Sequence, residues 1–161
     1  DDIWHMWRQI CNHQDNEKVI MFYIKQAKLE SLRTNMLLIQ AKAKEYVEEA
    51  TFKKGKDRAD ETETQREARK ATVRQEVYIT NGNLAPASGT VTNAPAEIPV
   101  SECYVVTQEA LSAWGLDKIE PATSKGEYYL IKFDETNYTA EIYNTIGYEG
   151  KYSLTDIDNL E

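Results

Sequence analysis

The chain has 161 residues, and 27 acidic against 19 basic side chains leave a net charge of -8 at neutral pH, which repels polyanions and makes nucleic acid a poor primary ligand. Its longest apolar runs, VIMFYI at 19–24 and MLLI at 36–39, fall well short of the roughly 20 apolar residues a bilayer span needs, so membrane contact is expected only through a precursor segment not evident here. Two cysteines, Cys11 and Cys103, are too few for a disulfide scaffold, and their pairing is left open.

Residues 1–54 contain neither Pro nor Gly and are dominated by Ala, Leu, Lys, Glu, Gln and Met, the strong helix formers. In the first part Ile3, Trp4, Trp7, Ile10 and Cys11 share one helical side; Asp15 or Asn16 offers a second start. Further on, Leu29, Leu32, Met36, Ile39, Ala43, Tyr46 and Ala50 alternate in steps of three and four, with Lys and Glu on the other faces. Lys53, Lys54 and then Gly55 form a natural stop. The reading is one helix of roughly 50 residues, about 75 Å long. Residues 1–25 form a protruding half meant for assembly and 26–54 a half packed on a sheet.

The remainder, 55–161, is expected to be an α+β head. Residues 56–76 are almost wholly charged or polar and read either as a solvated helix around 61–73 or as a linker. VYIT at 77–80 looks like a strand turning at Asn81-Gly82. The rest of 77–100 holds three of the four prolines and reads as surface loop; 56–100 as a whole is expected to be a long polar loop. A short helix follows at 107–115, capped by Thr107, with Leu111 and Trp114 inward and Gly115 ending it. Residues 127–145 alternate around a polar turn at 134–137 and predict an antiparallel hairpin. IGYEGKY suggests a third strand, and Ser153 or Thr155 caps a last helical turn.

A small sheet needs cover, and the stripe on 26–54 is its match. The expected fold is therefore α+β, a long N-terminal α-helix packed on a small antiparallel β-sheet. Met36, Ile39, Ala43, Tyr46, Val47, Trp114, Leu130 and Ile142 should form the helix–sheet core. Trp7, Ile10, Ile20, Phe22, Ile24, Leu29 and Leu32 should make helix–helix contacts with other subunits.

The stretch YIKQAKLESLRTNMLLIQAKAKEYVEEA (23–50), with Tyr23, Lys25, Ala27 and Lys28, resembles type IV pilins and pseudopilins, particularly those of Firmicutes. Residues 127–161 are similar to the C-terminal sheet of such pilins, and the resemblance covers about residues 20–161. Members of that family begin Phe-Thr-Leu-Ile-Glu followed by a long apolar run, where this chain has DDIWHMWRQICNHQDNEK. No residue here stands for the family's glutamate. Burying Asp1, Asp2, Arg8, Asp15, Glu17 and Lys18 unpaired would cost several kcal/mol each. The resemblance implies a structural subunit of an extracellular pilus or pseudopilus. It would assemble as a homo-oligomeric filament or with other pilin subunits, and serve adhesion, motility, secretion or DNA uptake. The alternative is a monomeric extracellular binding module on a helical stalk.

Chemistry has little to stand on. His5, Cys11 and His13 do not share a helical face and make a poor metal set. The glycines follow neither dinucleotide nor phosphate-loop order. Trp4 and Trp7 suit helix packing better than a lipid interface, given Asp1 and Asp2. Asn137-Tyr138-Thr139 matches a glycosylation sequon but reads equally as a turn. No catalytic residue, metal or cofactor is expected, and the chain is not read as an enzyme.

Overall fold

A computed structural model describes the backbone of residues 2–160, and the side chains at position 3 and over 16–160. It divides into two units, Asp1–Thr34 and Asn35–Glu161. Helix α1 is Asp2–Lys54, 53 residues without interruption. Gly55 ends it in the left-handed conformation, φ 62°, the backbone that glycine adopts most cheaply after a helix.

In the first unit the described side chains from 16 to 28 are exposed, apart from a half-buried Gln26. Leu29 is completely buried.

The second unit is built on a five-stranded antiparallel sheet in simple meander order, β1 (Ala85–Pro86), β2 (Tyr104–Val105), β3 (Tyr129–Asp134), β4 (Thr139–Tyr148) and β5 (Lys151–Ser153). Register places Ile131 opposite Ile142, Leu130 opposite Tyr143 and Phe133 opposite Ala140. Opposed residues share a face, so Tyr129, Ile131, Phe133, Ala140 and Ile142 line one side. The 35–54 part of α1 packs against that side. Asn35 donates to the Tyr129 hydroxyl at 3.2 Å and Gln40 to the Ala140 carbonyl at 3.0 Å. Met36, Ile39, Ala43, Val47 and Ala50 are all at zero exposure, the stripe expected from the three-four spacing.

Leu130 does not join this core. Strand alternation turns it to the opposite face, where it packs with Ala87, Val91, Ile98, Cys103 and Val105. The segment 87–103 is thus a cover with its own small core and not a plain surface loop. The sheet is buried on both sides at β3, which is why Tyr129, Leu130 and Ile131 are consecutive buried residues.

Residues 56–100 also contain regular structure. Helix α2 is Glu63–Arg74, opened by a capping box in which Thr62 and Gln65 satisfy each other's backbone N–H. VYIT is not a strand: Gln75–Asn81 continues α2 as a π-helical turn. The wider turn brings the adjacent Val77 and Tyr78 both into the interior. Helix α3 is Gln108–Ala113, capped by the Thr107 hydroxyl. Trp114, just beyond it, donates its indole N–H to the Tyr46 hydroxyl at 3.0 Å, tying α3 to α1. Helix α4, Leu154–Asp158, is capped by Ser153 and buries Leu154 and Ile157.

Two hairpin turns set the strand register. Between β3 and β4, one Asp134 carboxylate oxygen accepts from the backbone N–H of Thr136 and of Asn137, an Asx turn. Between β4 and β5, Glu149 and Gly150 both take positive φ, as a two-residue hairpin loop requires.

Candidate functional site

Among the described residues of the first unit, most of the exposed apolar surface lies in one stretch. Val19, Ile20, Met21, Phe22, Tyr23 and Ile24 are consecutive on α1, and each keeps between 42% and 66% of its surface exposed. Six consecutive helical residues sweep more than a full turn at 3.6 residues per turn, so the apolar girdle runs right around the helix. A helix that is apolar all round is normally buried on all sides. Phe22 and Tyr23 meet edge to face, ring centroids 5.9 Å apart, which leaves most of both rings free.

Of the residues expected to make helix–helix contacts, Ile20, Phe22 and Ile24 lie in this girdle. Leu32 is half-buried. Leu29 is enclosed within the single chain and offers no surface to a second copy. The side chains of Trp7 and Ile10 lie outside the described residues, as do those of Trp4, His5, Cys11 and His13. Of the helix–sheet set, Met36, Ile39, Ala43, Val47, Trp114 and Ile142 are buried and Tyr46 is half-buried, and Leu130 serves the other face of the sheet.

The second unit carries a charged hub that sequence reasoning did not single out. Glu135 follows β3 in the hairpin turn. Its carboxylate accepts from Lys54 Nζ at 2.5 Å, from Arg74 Nε and Nη2 at 3.1 Å each, and from the Tyr78 hydroxyl at 2.9 Å. Its side chain is only 12% exposed. Burial alone would raise the carboxyl, but the hydrogen bonds from Arg74, Lys54 and Tyr78 outweigh it and hold the group down at about 2. The same burial, and the neighbouring carboxylate, push the Tyr78 phenol up. The Tyr78 ring stacks on Phe133 at 3.9 Å with 2° between planes, and Tyr104 packs edge-on against both. The three donors come from the end of α1, the end of α2 and the π-helical turn. Arg74 and Tyr78 are about one helical turn apart, but no local pattern links them to Lys54 or Glu135, so the sequence carries no signal for the four meeting.

The hub borders an open hollow of about 1290 Å³, whose lining includes Gln40, Lys54, Arg74, Tyr104, Lys132 and Glu141. Several of its polar groups are engaged with neighbouring protein groups. Lys132 lies 3.6 Å from Glu102, and Glu141 accepts from the Thr155 N–H and hydroxyl. Cys103, at its edge, is a buried free thiol that burial pushes up to about 11, the opposite of what an activated nucleophile needs. Asn137 is exposed and donates to Asp134 at 2.8 Å, a turn-stabilising role.

Among the described residues no group of three or more His, Cys, Asp or Glu is placed to hold a metal ion, and no helix is long and apolar enough to cross a membrane. Comparison with protein-family models, with curated proteins and with solved structures finds no match for the chain.

Proposed function

We propose that the chain is a structural subunit of an extracellular filament of the pilin or pseudopilin kind, joined to its neighbours through the N-terminal half of α1. The observation that carries this reading is the exposed girdle Val19–Ile24, apolar on every side of a helix. Each of these side chains is about half covered already, so full burial is worth on the order of 1 kcal/mol apiece, roughly 6 kcal/mol together. One partner covers one side and recovers only part of that, against an association cost of about 4–15 kcal/mol. A packed array, where several neighbours surround each helix, recovers all of it. The layout of a long helix over a small meander sheet fits a subunit that presents its sheet unit outward.

Sedimentation over a wide concentration range, with electron microscopy of the concentrated protein, tests the reading. The chain should associate as concentration rises. Ile20→Ser, Phe22→Ser and Ile24→Ser together should abolish association at an unchanged melting temperature, because the three side chains are exposed. A monomer throughout favours the monomeric binding module on a helical stalk, and association indifferent to these changes means that the girdle is not what joins the copies.

A further inference from the structure

We propose that residues 55–76 form a charge-latched arm, which the Arg74–Glu135 and Glu76–Lys53 ion pairs hold against the rest of the second unit and which added salt or loss of the Glu135 charge releases. The inference is independent of the filament reading, since it concerns the second unit alone.

Helix α2 has no fully buried residue, and Val73 is only half-buried. What ties the arm to the body is charge. Arg74 grips Glu135 through two nitrogens. Glu76 lies 2.9 Å from Lys53. Arg69 donates to the Lys54 carbonyl, an open end of α1, and within the arm holds Glu61 at 2.5 Å. The arm's own charges are paired as well, Lys70 and Arg66 with Asp57 at 3.4 and 3.5 Å. The arm is pinned at both ends by different means. Gly55 leads into it with a left-handed backbone, and the buried Val77 and Tyr78 anchor its far side. Between those anchors, the attachments named are ion pairs and one hydrogen bond from the Arg69 guanidinium to a backbone carbonyl.

Glu76–Lys53 is exposed and Arg74 is itself 36% exposed, so salt near 1 M, where the Debye length is about 3 Å, weakens these attachments, the enclosed Glu135 side less than the rest. Apolar packing, as in the 36–50 stripe, is not weakened by salt in this way. Twelve residues make a marginal helix in isolation, so undocking and melting of α2 coincide. The arm also supplies Ala71, Arg74 and Gln75 to one wall of the hollow, so release changes what the hollow presents to solvent.

Hydrogen exchange of the full chain, followed on peptides covering 63–74, 36–47 and 129–134, reads the latch directly. In Glu135→Gln, or in the unmodified chain in about 1 M NaCl, peptide 63–74 should exchange at least roughly tenfold faster while the other two keep their rates. Arg74→Met removes only the arm's half of the latch, leaving Glu135 with Lys54 and Tyr78, and should give the same pattern. An unchanged rate for 63–74 under all three conditions overturns the proposal. So does a rise shared equally by all three peptides, which would make the hub part of one cooperative core.

Discussion

Glu135 is where charge chemistry has its largest effect on this protein. Its carboxyl sits at about 2 in the folded chain against an ordinary 4.5, so it favours the folded state at neutral pH. That contribution is complete above about pH 4.5 and is lost as pH falls toward 2. The gap corresponds to roughly 3 kcal/mol. Glu135→Gln keeps the shape but leaves Lys54 and Arg74 facing a neutral amide. Hydrogen exchange of peptide 63–74 should show the variant's arm opening more easily by about 2–3 kcal/mol at pH 7. The difference should shrink toward zero as pH falls through about 2, where the native carboxyl itself becomes neutral. A difference that stays constant with pH would mean that the hub acts through packing and not through charge.

At the scale of elements, α1 and β3 carry the fold. Ile39 lies at zero exposure in the middle of the buried stripe. Ile39→Asp would place a carboxylate with no partner between helix and sheet, a cost of several kcal/mol. The expected outcome is loss of the cooperative thermal transition of the second unit, and an unchanged melt would contradict the packing described. Elements governed by local rules were legible in advance. The three-four spacing gave the buried face of α1. Thr107 announced the start of α3, Ser153 is the one of the two caps offered for α4 that the structure uses, and alternation around 134–137 marked the β3–β4 hairpin. The misreadings share a cause, which is that tertiary contacts decided them. VYIT has strand composition, yet it continues α2 because Val77 and Tyr78 both find room inside. Leu130 is apolar like Ile131, and nothing in its own neighbourhood says that the segment 87–103 folds over it. Leu29 lies on the same stripe as Met36 and Ala43, so its burial follows from the spacing once the packed stretch extends far enough. The Glu135 hub draws on residues up to 81 positions apart, beyond the reach of any periodicity argument.

For the molecule as a whole, the distribution of burial separates folding from association. From residue 16 to 28 no described side chain is buried, whereas the stripe from Leu29 to Ala50 is enclosed at Leu29, Met36, Ile39, Ala43, Val47 and Ala50. Folding energy comes from buried apolar area, so a chain starting at residue 26 keeps this core and loses the girdle. It should unfold within a few degrees of the full chain, as followed by circular dichroism. Its association should vanish at concentrations where the full chain assembles. Salt should act on the full chain in two directions at once. With a net charge of -8, copies repel one another, and screening that repulsion favours contact through Val19–Ile24. The same screening loosens the arm around Glu135. The shortened chain retains only the second response, so comparing the two chains across a salt series assigns each effect to its own part of the molecule. Should the shortened chain still associate, the contact surface lies in the sheet unit and the girdle is not what joins the copies.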